Sequence, residues 1–340
     1  MEHELFRKSR AGVKYFIVRL MVVFMGRCAA VAPEILTYFV CTRLALLAYR
    51  YAPRFRRLAR EHLEIAFGNE KTPGEIDDIL RRTYINHGKN LAEFLMIPYK
   101  SSEWVLNKVK FSDPFGRIDA ELAKGKGAIV LSAHSGSMEL ACAWIGIKKF
   151  PMVSVVKAQR DDLFMKFVME TRRKWGTKLI LREKGVRREC LRQLGLNKIV
   201  GLVGDQNAAS HGVYVDFFGK KAATPTGAAD MAVQAGIPVL FFMVTRNPDD
   251  TSTVHMLESI QMRNTGDKAA DTLHNVQLYT TEIERFVRRH PEDYLWWHRR
   301  WKTRPANDAR VSLHEQVPYC DSINDICSSP ENIAATLSIL

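Results

Sequence analysis

Gly127-Ala-Ile-Val-Leu-Ser-Ala-His134-Ser-Gly-Ser-Met-Glu139 is the stretch from which the fold can be read. A short apolar run ends in small and polar residues, and Met138–Ile147 follows with a helical pattern, so the segment reads as strand, turn and helix. The alternation recurs downstream. Pro151–Lys157, Thr177–Leu181, Lys198–Asp205, Pro238–Arg246 and Thr253–Ile260 read as strands. Leu163–Trp175, Val186–Leu194, Thr226–Ala235 and Gln277–Arg289 read as helices. Strands alternating with helices predict an α/β sheet covered on both faces. Upstream, Glu75–Met96 places Ile76, Ile79, Leu80, Tyr84, Leu91, Phe94 and Leu95 at helical spacing. Pro73-Gly74 marks the turn before that helix and Pro98 ends it.

Composition narrows the function classes. The chain has 340 residues, 46% hydrophobic and 26% charged, which are globular proportions and exclude a disordered or collagen-like chain. No run approaches the 18 apolar residues of a clean membrane span. The net charge of +13 points to an anionic partner. It is unevenly placed: residues 1–60 carry +9, residues 306–340 carry −4, and residues 61–305 the remaining +8. The six cysteines are scattered with no CxxC pair, which indicates neither a zinc site nor a disulfide framework, and a reducing, cytosol-facing compartment is the default.

The basic excess coincides with an apolar stretch. From Val13 to Tyr51 the chain is rich in Leu, Val, Phe, Met and Tyr, interrupted by Lys14, Arg19, Arg27, Glu34, Arg43 and Arg50. A bilayer-spanning helix with Arg19 and Arg27 near its middle is costly, whereas a helix lying in the interface keeps those heads beside lipid phosphates. Pro53 breaks the helix, and Arg54, Arg56, Arg57 and Arg60 follow as a cluster suited to anionic lipid. An ordinary amphipathic helix pair on a soluble core is the competing reading. A signal peptide fits poorly, because Lys14, Arg19 and Arg27 break up any apolar core and Arg27 precedes Cys28. The chain therefore divides into a basic-apolar membrane-association segment (1–60), a main domain (61–305) and an acidic tail (306–340).

Active groups of open α/β sheets gather beyond the carboxyl ends of strands, and His134 falls at such an end. Its spacing to Glu139 is H-x4-E. On one regular helix the two would stand about 140° apart. His134 is therefore expected in the turn, with Glu139 in the first turns of the helix, where its carboxylate can hydrogen-bond the ring and fix its tautomer. Such a pair suits a general base acting on a hydroxyl. A satisfied structural histidine is the bland alternative. There is no H-E-x-x-H, no G-x-S-x-G elbow, no G-x-x-x-x-G-K-[ST] phosphate loop and no G-x-G-x-x-G after a strand.

The sequence around His134 resembles the bacterial lipid A late acyltransferases, within the glycerolipid acyltransferase superfamily marked by His-x4-Asp/Glu. Other segments share the resemblance: Asp205-Gln206 after a buried strand, Arg172-Arg-Lys-Trp-Gly176, Gly212–Gly227 and His290–Pro305. Asp216 departs from the usual Pro, and Ser135 and Ser137 flank Gly136 where bulkier residues are common.

The resemblance implies an α/β fold with a mixed, mostly parallel sheet covered by helices, preceded by an amphipathic membrane-associated helical segment. It also implies transfer of an acyl group from an acyl carrier protein thioester to a hydroxyl of a lipid A precursor, at the cytoplasmic face of the inner membrane. His134 and Glu139 become the catalytic pair. Arg172, Arg173, Asp205, Gln206, Phe218, Gly219 and Thr224 become candidate substrate contacts, Asp205 and Gln206 alternatively ordering the His134 region, with Phe217-Phe218-Gly219 and Thr224 in a loop against the site. The arginines would bind phosphate bidentately. No metal or redox cofactor is implied, and the acyl carrier protein serves as co-substrate. Trp296, Trp297 and Trp301, interleaved with basic residues, suit structure plus lipid-headgroup contact rather than nucleic acid. Three other readings stand beside this one: the same chemistry on another glycolipid, an aminolipid or a lysophospholipid; a non-enzymatic peripheral membrane protein; and a serine hydrolase using Ser135 or Ser137.

Overall fold

The computed structural model of the chain describes residues 24–113, 116–156 and 162–305. Residues 1–23 of the expected membrane segment and the acidic tail 306–340 lie outside them.

The strands are β1 (Val109–Ser112), β2 (Ala128–Ser132), β3 (Met152–Val156), β4 (Lys178–Leu181), β5 (Ile199–Val203), β6 (Val213–Phe217), β7 (Lys220–Thr224), β8 (Val239–Arg246) and β9 (Ser252–Ile260). Seven of them form one sheet in the order β1-β9-β8-β2-β5-β3-β4. Its neighbouring strands are parallel except β8 and β9, which a short turn joins and which therefore run antiparallel. The sheet is thus mixed and mostly parallel. The remaining two strands, β6 and β7, form a separate antiparallel hairpin.

The helices are α1 (Glu34–Tyr51), α2 (Pro53–Phe67), α3 (Pro73–Met96), α4 (Ser102–Lys108), α5 (Arg117–Ala123), α6 (Met138–Ile147), α7 (Asp162–Lys174), α8 (Val186–Gly195), α9 (Gly227–Ala235) and α10 (Lys268–Arg289). They cover both faces of the sheet, and the period-2 alternation of the central strands shows why. Ile129 and Leu131 of β2, with Val239, Phe241 and Met243 of β8, pack against Leu63, Leu80, Met231, Tyr279 and Ile283 from α2, α3, α9 and α10. Ala128 and Val130, with Leu240, Phe242 and Val244, face Val105, Ile118, Leu140 and Trp144 from α4, α5 and α6. Strands buried on both sides need apolar residues at every position, and all five of β2 are buried.

Helix α3 starts at Pro73 rather than after the Pro-Gly pair. Proline fits the first helical turn, and Thr72 and Glu75 close a capping box around it: the Glu75 N–H donates to Thr72 Oγ1 at 3.3 Å and the Thr72 N–H donates to Glu75 Oε2 at 2.8 Å. Helix α10 begins nine residues before the expected Gln277, because Asp267 caps it by accepting from Ala269 and Ala270 N–H at 3.1 Å each. The segment expected to be a loop, around Phe217-Phe218-Gly219, is the β6–β7 hairpin.

One close approach fixes how α6 sits on the segment after α7. A Cβ placed on Gly146 would lie 1.7 Å from the Trp175 carbonyl oxygen, and that contact is backbone on both sides. Gly146→Ala is expected to destabilise the protein by about 3 kcal/mol or to block folding, read as loss of soluble protein or a lowered urea midpoint. A variant as stable as the parent would refute the close approach.

Candidate active site

The sheet itself assembles the site. Strands β2 and β5 are register-paired at their ends, with Ser132 opposite Val203. His134 and Asp205 each lie two residues beyond that pair, so equal overshoot places them side by side at the carboxyl edge. The Gly204 N–H extends the ladder by donating to the Ser132 carbonyl at 2.9 Å. Asp205 then meets His134 twice: Oδ2 accepts the His134 backbone N–H at 3.0 Å, and Oδ1 lies 2.8 Å from the ring Nδ1. The carboxylate side chain is 4% exposed and the imidazole 32%.

These contacts assign the ring. An ionised carboxylate only accepts, so Nδ1 carries the proton and Nε2 holds the lone pair of the neutral ring. The side-chain amide nitrogen of Gln206 stands 3.3 Å from Nε2 and donates toward that lone pair. Burial opposes charging the ring, but the neighbouring Asp205 carboxylate outweighs it and holds the His134 pKa above its ordinary 6.5. Burial likewise opposes charge on Asp205, and the histidine partner outweighs it and depresses the carboxyl pKa to about 2. Two other buried histidines, His87 of α3 and His298 of the C-terminal segment, are lowered by burial to about 4 and stay neutral.

The turn after His134 is tightly held. Gly136 has φ +59°, and a Cβ there would lie 2.6 Å from the Val244 carbonyl oxygen, so only glycine fits. Its N–H donates to the Asp293 carbonyl at 3.0 Å, while the Leu295 N–H donates to the His134 carbonyl at 3.0 Å. Residues 293–295 therefore brace the turn as a short antiparallel partner, with Ser135 bridged to Tyr294.

Glu139, expected to bond the imidazole, is directed elsewhere. It sits in the first turn of α6, where Arg172 near the end of α7 grips both its oxygens, Nε reaching Oε2 at 2.9 Å and Nη2 reaching Oε1. A permanently charged guanidinium in bidentate geometry is a stronger partner than an imidazole whose Nδ1 already faces Asp205. Arg173 beside it is exposed.

Asp205 and Gln206 thus stand at His134, but the other candidate contacts do not. Phe218 is buried against Phe67 and Trp296, with its N–H donating to Glu284 Oε2 at 2.6 Å. Gly219 is exposed at the hairpin turn with φ +69°. Thr224 is buried, and its hydroxyl accepts from Arg300, whose Nη1 donates to the Ala223 carbonyl at 2.7 Å. The hairpin residues therefore build the wall behind the site. Trp296, Trp297 and Trp301 correct the headgroup expectation: all three are at most 4% exposed and pack into the core against α2 and α3. Asn90, Arg246 and Asp293 were not singled out from the sequence. Arg246 carried one usable signal, a charged residue closing a strand at the edge that holds His134.

The sequence profile of the family described as bacterial lipid A biosynthesis acyltransferase matches residues 4–303. A lipid A biosynthesis palmitoleoyltransferase of Escherichia coli is 24% identical over 281 residues, covering 81% of this chain and 88% of that protein. An Escherichia coli lipid A biosynthesis lauroyltransferase is 22% identical over 77% of this chain and 84% of its own length. A phosphatidylinositol mannoside acyltransferase of Mycobacterium tuberculosis is 31% identical over 127 residues, a match that spans 36% of this chain and only 40% of that protein.

Proposed function

Since the chain belongs to the bacterial lipid A biosynthesis acyltransferase family, we propose that it transfers an acyl chain from an acyl carrier protein thioester to a hydroxyl of a lipid A precursor. The observation that carries this reading is His134 at the carboxyl edge, with Asp205 on Nδ1 and, among the described residues, the Gln206 amide toward Nε2. Nε2 takes the proton of the acceptor hydroxyl as its oxygen attacks the thioester carbonyl. Asp205 keeps the opposite ring nitrogen protonated and stabilises the imidazolium. The tetrahedral oxyanion collapses, the C–S bond breaks, and the imidazolium returns its proton to the departing thiolate. The products are the ester and the free carrier thiol. The Glu139–Arg172 pair stands apart from the ring, and its guanidinium, held by Glu139, suits a phosphate of either substrate.

We place the reaction at a membrane surface. Helix α1 buries Tyr38, Cys41, Ala45 and Ala48 and turns Ile35, Leu36, Phe39, Val40 and Leu47 outward, Ile35 at 80% and Phe39 at 54% exposure. Arg43 lies over the Phe39 ring at 4.9 Å, and Arg54 and Arg57 are exposed on the next helix. An apolar face edged by arginines suits insertion among anionic headgroups. Among the described residues no helix is long and apolar enough to cross a membrane. The positive charge also suits the acidic carrier.

The match to a mannoside acyltransferase favours a second acceptor, a glycolipid hydroxyl outside lipid A, reached by the same chemistry. Purified protein given a panel of acyl carrier protein thioesters and a Kdo-bearing lipid A precursor is expected to add one acyl mass to the precursor. Product only on a mannosylated phosphoinositide selects the second acceptor. No transfer to either lipid refutes both.

A further inference from the structure

The turn that carries His134 is held on its far side by a buried polar chain that the acyl-transfer chemistry does not use. Arg246 closes β8 and is 3% exposed; Glu93 of α3 is fully buried. Nη1 and Nη2 of Arg246 grip Oε1 and Oε2 of Glu93 at 2.8 Å each. The Tyr38 hydroxyl, from α1, adds a bond to Oε1 at 2.8 Å. With the carboxylate thus occupied, Nη2 of Arg246 also donates to Asn90 Oδ1 at 2.6 Å. That bond fixes which way the Asn90 amide points, since its oxygen must face the guanidinium and its nitrogen the other way. The nitrogen donates to the Gly136 carbonyl at 3.0 Å. The same guanidinium-bearing residue donates its backbone N–H to Asp293 Oδ2 at 3.2 Å, and the Asp293 carbonyl accepts from Gly136 N–H at 3.0 Å. Both backbone groups of Gly136 are therefore tied to residues bonded to Arg246.

Gly136 is two residues from His134 in a left-handed conformation with no room for a Cβ, so a displacement there is transmitted to the histidine backbone. The His134 N–H is one of the two bonds that seat Asp205 on the ring. We infer that Asn90, oriented by the Arg246–Glu93 pair, is a positioning residue that fixes the catalytic turn and so the His134–Asp205 contact. The inference rests on the proposed role of His134, and its test is chosen to separate the two.

Selective 15N-histidine labelling of the full chain reads the His134 ring directly, with its signal identified by its absence in His134→Ala. Asn90→Leu keeps the branched side-chain shape and removes the donor to Gly136. Its His134 pKa is expected to fall by about half a unit or more as the Asp205 contact loosens. Turnover is expected to drop about 10- to 100-fold with little change in KM. Asn90→Asp retains an acceptor for Arg246 but cannot donate to Gly136; it serves if the leucine variant does not fold, and is expected to shift the ring nitrogens and lose turnover. Folded variants with His134 ring signals and turnover like the parent overturn the inference. A parent protein that transfers no acyl chain, yet whose His134 titration moves on Asn90→Leu, refutes the proposed function and leaves the positioning role standing.

Discussion

Asp205→Asn is expected to lower kcat/KM for acyl transfer by about 10²- to 10⁴-fold near neutral pH, with the fold intact. The amide is nearly the same size as the carboxylate and can still bond the His134 backbone N–H through its oxygen. Its other end then presents an N–H to Nδ1, which drives the ring proton to Nε2 and removes the lone pair that must accept the acceptor proton. The pH profile gives an independent check. In the mechanism we propose, His134 acts as the base when neutral, so kcat/KM falls as the pH drops through its pKa, which Asp205 holds above 6.5. The acid limb of the parent is therefore expected above pH 6.5. Removing the negative charge lowers that pKa, so residual activity in Asp205→Asn persists to lower pH. A limb that stays where it was would deny Asp205 its place on the ring.

Glu139→Gln supplies the contrast. Its carboxylate is engaged by Arg172 rather than by the imidazole, so its loss loosens the guanidinium and leaves the ring where it is. The acid limb is expected to stay in place while the KM of a phosphate-bearing substrate rises. The two acids thus separate by the kind of defect each produces.

The division between them shows what the sequence could carry. The β2–α6 unit was legible because an apolar run ended in small polar residues before a helical pattern, and His134 followed from the strand-end rule. Asp205 was also legible as a strand end. Its ordering of the His134 region was open as one alternative, but its direct bond to the ring was not legible, because a sequence offers local spacing, and spacing nominated Glu139, five residues away. Which strands lie side by side is topological information: β5 pairs with β2 although 71 residues separate Asp205 from His134. The β6–β7 hairpin escaped for a different reason. Its turn places Phe218 at φ +51°, a conformation uncommon for a bulky residue, and the cost is offset by burying the ring under Arg288 and against Phe67. Gly219 is a turn signal, but Phe218 at the other left-handed position of the turn is not one that its residue type announces. The tryptophans misled by composition, since aromatic and basic residues alternate there as at a headgroup layer, yet the indoles point inward.

Arg246→Met is expected to cost about 3–5 kcal/mol of stability, measured as a drop in the urea midpoint at pH 7. The methionine fills most of the space of the arginine stem but leaves the Glu93 carboxylate, fully buried, with only the Tyr38 hydroxyl among the bonds described for it. An unpaired buried charge is expensive because no water can approach it, so most of the loss measures the abandoned carboxylate rather than the attraction of the pair. That distinction has a consequence for the double variant Glu93→Leu with Arg246→Met, which removes both charges together. It is expected to regain most of the stability, since replacing a buried ion pair with apolar side chains is often neutral. It is not expected to regain turnover, because Asn90 then has no guanidinium to orient its amide toward Gly136. A double variant restored in both would make the pair a purely structural feature. One restored in stability alone separates what the pair contributes to folding, which apolar residues can replace, from the directed hydrogen bonds that they cannot.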